Sequence, residues 1–234
     1  VGEVTTAPVQ SRVERVVRGW PLIALALACL VLTYGFVKFG GEVVERETLA
    51  LDHGVRDWVL AHRTAAGTAF FSVITWLGSI AVLIPATLTV FWMLYRRGAR
   101  WRPLLLALGT IVFALLISLL KTRYQVVRPP AGFASGLGFS FPSGHASSST
   151  AAWLVLTYIL VREKLVRREA LVFAPLLALL VGSSRVYLDV HWASDVLGGW
   201  ALGLAAGLAG CALYAALIRR AERKQAASSS SISR

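Results

Sequence analysis

The feature that most limits what this chain can become is a series of apolar runs, several of them near the roughly 20 residues a helix needs to cross a bilayer. In lipid every backbone N–H and C=O must be bonded within the protein, so such runs are read as helices. With 56% of its residues hydrophobic and 15% charged, the chain is expected to be all-α, an integral membrane bundle of six transmembrane helices. The spans are expected at about Trp20 to Phe39, Phe70 to Tyr95, Pro103 to Leu120, His145 to Val161, Ala170 to Ser183, and Ala193 to Arg220. Pro85, inside the second run, suggests a kink rather than an end.

Residues 1–18 read as a polar cytoplasmic tail, 19–220 as the six-span domain, and 221–234 as a basic, serine-rich tail expected to be disordered. The first apolar run follows Arg12, Arg15 and Arg18, as a secretory signal would. It ends without a small-residue cleavage pattern, however, and is read as a retained span. Between the first two spans, Leu51, Val55, Trp58 and Val59 recur at helical spacing among Asp52, Arg56 and Asp57. That pattern fits a short amphipathic helix on the membrane surface and equally an ordinary solvated helix.

The net charge of +12 does not point to nucleic acid, because the cations lie between the apolar runs. They follow the positive-inside bias. Arg96, Arg97, Arg100 and Arg102 follow span two, Arg162, Lys164, Arg167 and Arg168 follow span four, and more flank both termini. This places both termini in the cytoplasm of a multi-pass plasma-membrane protein and puts the loops after spans three and five on the outer face. Cys29 and Cys211 have neither a CxxC partner nor a histidine at ligand spacing, so packing is their expected role. Gly199, Gly203 and Gly207, at four-residue steps, let a neighbouring helix approach closely within one subunit. A monomer suffices for such packing.

The two outer loops carry the chemistry. Lys121 is followed after six residues by Arg128-Pro129; Pro142-Ser143-Gly144-His145 opens span four; Ser184-Arg185 is followed by five residues, His191, three more, and Asp195. Lys121, Arg128 and Arg185 concentrate more positive charge than a carboxylate needs and suit a phosphate. Ser143 and Gly144 fall at a helix N-terminus, where free N–H groups and the dipole favour an anion. If the chain turns helical near Val190, His191 and Asp195 share one face. A carboxylate beside an imidazole fixes its tautomer and stabilises the charge it gains in an attack, so His191 is the better nucleophile. His145 has no such partner and is the better general acid. Each piece alone has a plainer explanation: snorkelling cations, a helix cap, a satisfied His–Asp pair.

As a set, the three motifs resemble the signature of the type 2 phosphatidic acid phosphatase (PAP2) superfamily, and the six-span layout resembles its membrane branch. The resemblance implies a phosphohistidine on His191 supported by Asp195, with His145 as acid. It implies that Lys121, Arg128, Ser143, Gly144 and Arg185 hold the phosphate, and it implies no metal ion or other cofactor. The expected partners are the bilayer and a lipid phosphate of the phosphatidylglycerophosphate, undecaprenyl pyrophosphate or phosphatidic acid type. Two other readings stay open: a phosphotransferase passing the group to an alcohol, and a transporter or binding protein using the basic site without catalysis.

Overall fold

The computed structural model describes residues 9–98, 102–130 and 138–232, with side chains described for 23–98, 104–130 and 138–221. Residues 1–8, 233 and 234 of the expected tails and 131–137 of the glycine-rich connection lie outside the described residues. No strand occurs among the described residues. The helices are α1 (Val9–Val44), α2 (Leu49–His62), α3 (Ala65–Ile74), α4 (Ile80–Arg96), α5 (Arg102–Tyr124), α6 (Gly144–Arg162), α7 (Phe173–Tyr187) and α8 (Ala193–Ile232). Short 3₁₀ turns at Thr75–Gly78 and Arg168–Val172 lead into α4 and α7.

Four stretches are long and apolar enough to cross a membrane: Ile23–Val44, Leu104–Tyr124, Arg168–Tyr187 and Ala193–Ala221. Ala65–Gly78 with Ile80–Arg96 makes a fifth if that bent pair is one span. Leu104, Leu108, Ile111, Leu115 and Leu119 stay exposed along α5, as do Leu27, Leu30, Val31 and Tyr34 along α1. Apolar surface on this scale needs a lipid rather than a water neighbour. The remaining expected span, fourth in chain order, is α6, which opens with the small and polar residues GHASSST. It packs against α4, α5, α7 and α8, and Ser147 and Thr150 return their hydroxyls to the carbonyls of Ser143 and Ala146 at 2.9 and 2.7 Å. A helix walled by protein on these sides does not need a fully apolar surface.

Glycine makes the closest of these contacts possible. A Cβ on Gly203 would lie 2.5 Å from the Ser147 carbonyl oxygen, and one on Gly199 would lie 3.0 Å from that of Ser143. The four-residue glycine face of α8 therefore seats α6 within the same subunit. Because the atom met is backbone, Gly203→Ala should lower stability by about 1–3 kcal/mol. Its melting temperature in detergent, compared with Gly35→Ala on the open face of α1, checks this.

Three expectations need correction. The second span breaks by 44° after Gly78, whereas Pro85 lies within the continuous helix α4. Tertiary contacts set the break: Val181 packs where a Gly78 side chain would stand, and Trp153 Nε1 donates to the Leu77 carbonyl at 3.0 Å. The stretch expected to be amphipathic forms α2, but the charged Asp52 is buried in it alongside the apolar Val59. The helices extend into both expected tails, since α1 begins at Val9 and α8 runs to Ile232. A helix already nucleated by a long apolar span extends through alanine and serine at little further cost.

Under the functional loops, an aromatic cluster holds residues 140–142 in place. Phe36 stacks on Phe141 with ring centroids 5.7 Å apart, and Tyr124 meets Phe141 edge-on at 5.0 Å. Ile117 and Leu202 complete this core. A second core, around Leu94, Ile159 and Tyr214, joins α4, α5, α6 and α8 elsewhere in the bundle.

Candidate active site

All eight residues singled out from the sequence gather where α5, α6, α7 and α8 end or begin. Lys121 lies in the last turn of α5, Ser143 caps α6, Arg185 lies in the last turn of α7, and Asp195 lies in the first turn of α8. Arg128 and His191 come from the segments between helices. His191 precedes α8 instead of sharing a helical face with Asp195, yet the two still meet. Its Nδ1 is 3.1 Å from Asp195 Oδ2, because the N–H of Trp192 also turns back to that oxygen at 2.8 Å.

The contacts define the imidazole tautomer. Arg128 Nη1 lies 3.1 Å from His191 Nε2. Arginine can only donate, so Nε2 is the acceptor and the ring proton sits on Nδ1, facing the carboxylate. The Nε2 lone pair thus points at a cation. Burial, then Arg128, Lys121 and Arg185 in that order, hold the His191 pKa well below the ordinary imidazole range. Burial also lowers the pKa of the Arg128 guanidinium, against the opposing pull of Asp195.

Two of the cations are held by backbone oxygens and the third by a threonine hydroxyl. Lys121 Nζ donates to the carbonyls of Phe139 and Ser140 at 2.8 and 3.0 Å, which leaves one of its three N–H groups for a ligand. Arg128 donates to the carbonyls of Val190 at 2.8 Å and Gly138 at 3.2 Å. Arg185 Nη1 donates to Thr75 Oγ1 at 2.7 Å, and its Nε is buried with no hydrogen-bond partner. An unsatisfied buried guanidinium N–H is a donor waiting for an acceptor.

Ser143 donates its backbone N–H to the Asp195 carbonyl at 3.0 Å and accepts on Oγ from Ala146 N, tying the start of α6 to α8. A Cβ on Gly144 would meet nothing closer than 3.9 Å, with Ile117 and the Lys121 stem as its neighbours. The α6 N-terminus at Gly144 thus lies beside the Lys121 stem at ordinary contact distance. His145 follows in the first turn, half-buried, with Arg185, His191, Arg128 and Lys121 as its charged neighbours. Among the described residues no group of three or more His, Cys, Asp or Glu side chains could hold a metal ion.

Sequence reasoning missed Ser140. Its hydroxyl donates to Asp195 Oδ2 and stands 3.2 Å from His191 Nδ1, so it braces both members of the pair. Nothing in spacing or residue type marks it out, since only folding brings Asp195 to it. Ser140→Ala should slow turnover by about 10–150-fold, the equivalent of a hydrogen bond to a charged group. Steady-state kinetics on the purified protein would measure the loss.

This is a helical membrane-type fold whose site sets a carboxylate-backed histidine against a cluster of cations. The sequence profile of the PAP2 superfamily matches residues 102–219, and the chain belongs to that superfamily. Phosphatidylglycerophosphatase B of Bacillus subtilis (strain 168) is 38% identical over 136 residues, covering 56% of this chain and 67% of that one. Among solved structures, the transmembrane PAP2-type phosphatidylglycerolphosphate phosphatase from Bacillus subtilis superposes with a TM-score of 0.72 at 29% identity. The match covers 78% of this chain and 93% of that one. Aquifex aeolicus LpxE shares the fold with a TM-score of 0.52 at 24% identity, over 68% of this chain and 94% of that one.

Proposed function

We propose that the protein is a six-span, metal-independent lipid phosphatase that works through a phosphohistidine on His191. Phosphatidylglycerophosphate is the leading substrate, on the strength of the relative that is 38% identical. The observation that carries the mechanism is the orientation of His191, with Nδ1–H on Asp195 and the Nε2 lone pair facing Arg128. The remaining N–H of Lys121, the buried Nε of Arg185, Arg128, Ser143 and the helix N-terminus at Gly144 receive the phosphate oxygens. As Arg128 turns its N–H from Nε2 to a phosphate oxygen, the lone pair becomes free to attack.

Nε2 then forms a bond to phosphorus while the bond from phosphorus to the lipid oxygen breaks, and His145 gives that oxygen a proton. Asp195 balances the imidazolium formed. In the second half, His145 takes a proton from water, the water oxygen attacks phosphorus, and the P–N bond breaks to release inorganic phosphate. Both termini are cytoplasmic on this reading, and the site opens at the outer membrane face.

The test is phosphate release by the purified protein in detergent from phosphatidylglycerophosphate, phosphatidic acid and undecaprenyl pyrophosphate, with and without EDTA. Release that survives EDTA and is blocked by vanadate is expected, because vanadate mimics five-coordinate phosphorus. Release that requires added magnesium, or none from any lipid, would overturn the proposal.

The pH profile follows from the electrostatics. His191 attacks as the neutral form, and its pKa is lowered by burial and three cations, so neutral imidazole persists as pH falls through 6.5, the ordinary histidine value. The acid limb of kcat/KM should therefore lie below 6.5. Bound phosphate offsets the cations around His145, so the alkaline fall, as the general acid loses its proton, should be read in kcat, which reports the substrate complex. The two limbs belong to the coupled histidine pair. An acid limb at or above 6.5 would contradict the assigned environment of His191.

A further inference from the structure

We infer that Arg56, on α2, is a positioning residue for the reaction. It acts through Asp189 and the Arg128 segment, while Asp52 one turn earlier holds the start of α8. The inference rests on His191 being the nucleophile proposed above. Arg56 gives Asp189 two parallel bonds, Nε to Oδ1 at 2.7 Å and Nη2 to Oδ2 at 2.9 Å. The same Nη2 reaches the Pro130 carbonyl at 3.0 Å. A bidentate guanidinium–carboxylate pair fixes direction as well as distance.

What it fixes is the turn that delivers the nucleophile. Asp189 has φ of +56°, a left-handed conformation that aspartate tolerates better than most residues but rarely adopts. Around it, α7 ends and the chain reverses, with the N–H groups of Val190 and His191 both returning to the Arg185 carbonyl at 3.1 and 3.3 Å. Pro130 lies two residues after Arg128, whose guanidinium meets the Val190 carbonyl and His191 Nε2. Arg56 therefore joins, from outside, the two segments that meet at the reactive nitrogen.

Asp52 completes the arrangement from the same face of α2. Its carboxylate accepts from Ser194 N at 2.8 Å, Ser194 Oγ at 2.7 Å and Thr48 Oγ1 at 3.1 Å. Ser194 is the immediate neighbour of Asp195. A helix merely resting on a membrane would turn its charges outward, yet here Asp52 is 5% exposed while Trp58 is 64% exposed. Asp52 and Arg56 lie on the protein-facing side of α2 together with buried Val59, and these two polar groups hold the backbone beside both members of the His191–Asp195 pair.

The experiment measures phosphate release from phosphatidylglycerophosphate by the full chain in detergent. The variants are Arg56→Ala, Arg56→Lys, Asp189→Asn, the Arg56→Ala/Asp189→Asn double variant and Asp57→Asn. Asparagine tolerates the left-handed turn, so Asp189→Asn removes the charge and leaves the backbone unstrained. Arg56→Ala and Asp189→Asn should each lower kcat about 10–100-fold, as expected when a nucleophile is misplaced by about an ångström. KM should change little, because neither substitution removes a group assigned to the phosphate. The double variant should be no worse than Arg56→Ala, Arg56→Lys should recover part of the loss, and exposed Asp57→Asn should match wild type.

Wild-type kcat in both single variants would overturn the inference, as would losses that multiply in the double variant. So would a loss explained wholly by a smaller folded fraction, with the folded remainder turning over at the wild-type rate. An inactive wild type, or a phosphoryl group found on a residue other than His191, would strike the underlying mechanism instead and is distinguishable from these results.

Discussion

His191→Ala should abolish the phosphoryl-enzyme and turnover together. With a labelled substrate and rapid quenching away from acid, wild-type protein should carry a transient, acid-labile phosphoryl group that the variant lacks. Removing a nucleophile commonly costs about 10⁴–10⁶-fold in kcat. Ser140 and Asp195 lie on the Nδ1 side of the ring, and Arg128 faces Nε2. Asp195→Asn tests the same pair from the other end. The amide keeps the shape but cannot balance the imidazolium, and its NH₂ competes for the hydrogen bonds that Ser140, His191 and Trp192 now give one oxygen. A fall of about 10³–10⁴-fold in the labelling rate is expected, as for other His–Asp pairs stripped of the charge. If His191→Ala labels as wild type does, the nucleophile lies elsewhere and the site must be rebuilt.

The parts of the site that could be read from the chain are those whose chemistry is carried by residue type and local spacing. Lys121, Arg128, Ser143-Gly144-His145, Arg185, His191 and Asp195 are unusual at the ends of apolar runs, so their grouping stood out, and the structure brings them together. The supports did not stand out. Asp52 looks like a solvated charge until Ser194, 142 residues away, is folded onto it, and the Arg56–Asp189 pair spans 133 residues. Ser140 and Thr75 are ordinary hydroxyls in sequence and become specific only as partners of Asp195 and Arg185. The break after Gly78 was hidden for the same reason. Proline is the local signal for a kink, but Pro85 is accommodated inside α4, while the bend is imposed from outside by α6 and α7 through Trp153 and Val181. Local chemistry is written along the chain, and what orients it is written across the fold.

On the proposed mechanism, the cations let one site both hold a phosphate and keep a histidine reactive. Lys121, Arg128 and Arg185 all act to keep His191 neutral. Once a phosphate with nearly two negative charges binds, the same cations are matched, and the imidazolium formed by attack loses much of their opposition. Asp195 remains beside it throughout. The substrate therefore brings part of the electrostatic support for its own cleavage, a contribution that grows in the low dielectric of a buried site.

The role of His145 follows from what leaves. When a lipid alcohol departs, the oxygen becomes a strongly basic alkoxide unless it is protonated as the bond to phosphorus breaks. His145→Ala should then cost about 10²–10⁴-fold on phosphatidic acid or phosphatidylglycerophosphate. When the departing group is itself a phosphate, as with undecaprenyl pyrophosphate, its oxygen is weakly basic and leaves with little help. The first step should survive in the variant, while the second still needs a base to draw a proton from water. His145→Ala should therefore accumulate phosphohistidine from the pyrophosphate substrate and fail to form it at a useful rate from the monoesters. Comparing burst amplitude and steady-state rate on the two lipid classes reads the contrast directly. Equal losses on both classes, with no build-up of label from either, would mean that His145 serves binding rather than proton transfer, and the acid would have to be sought among other groups that face the cations.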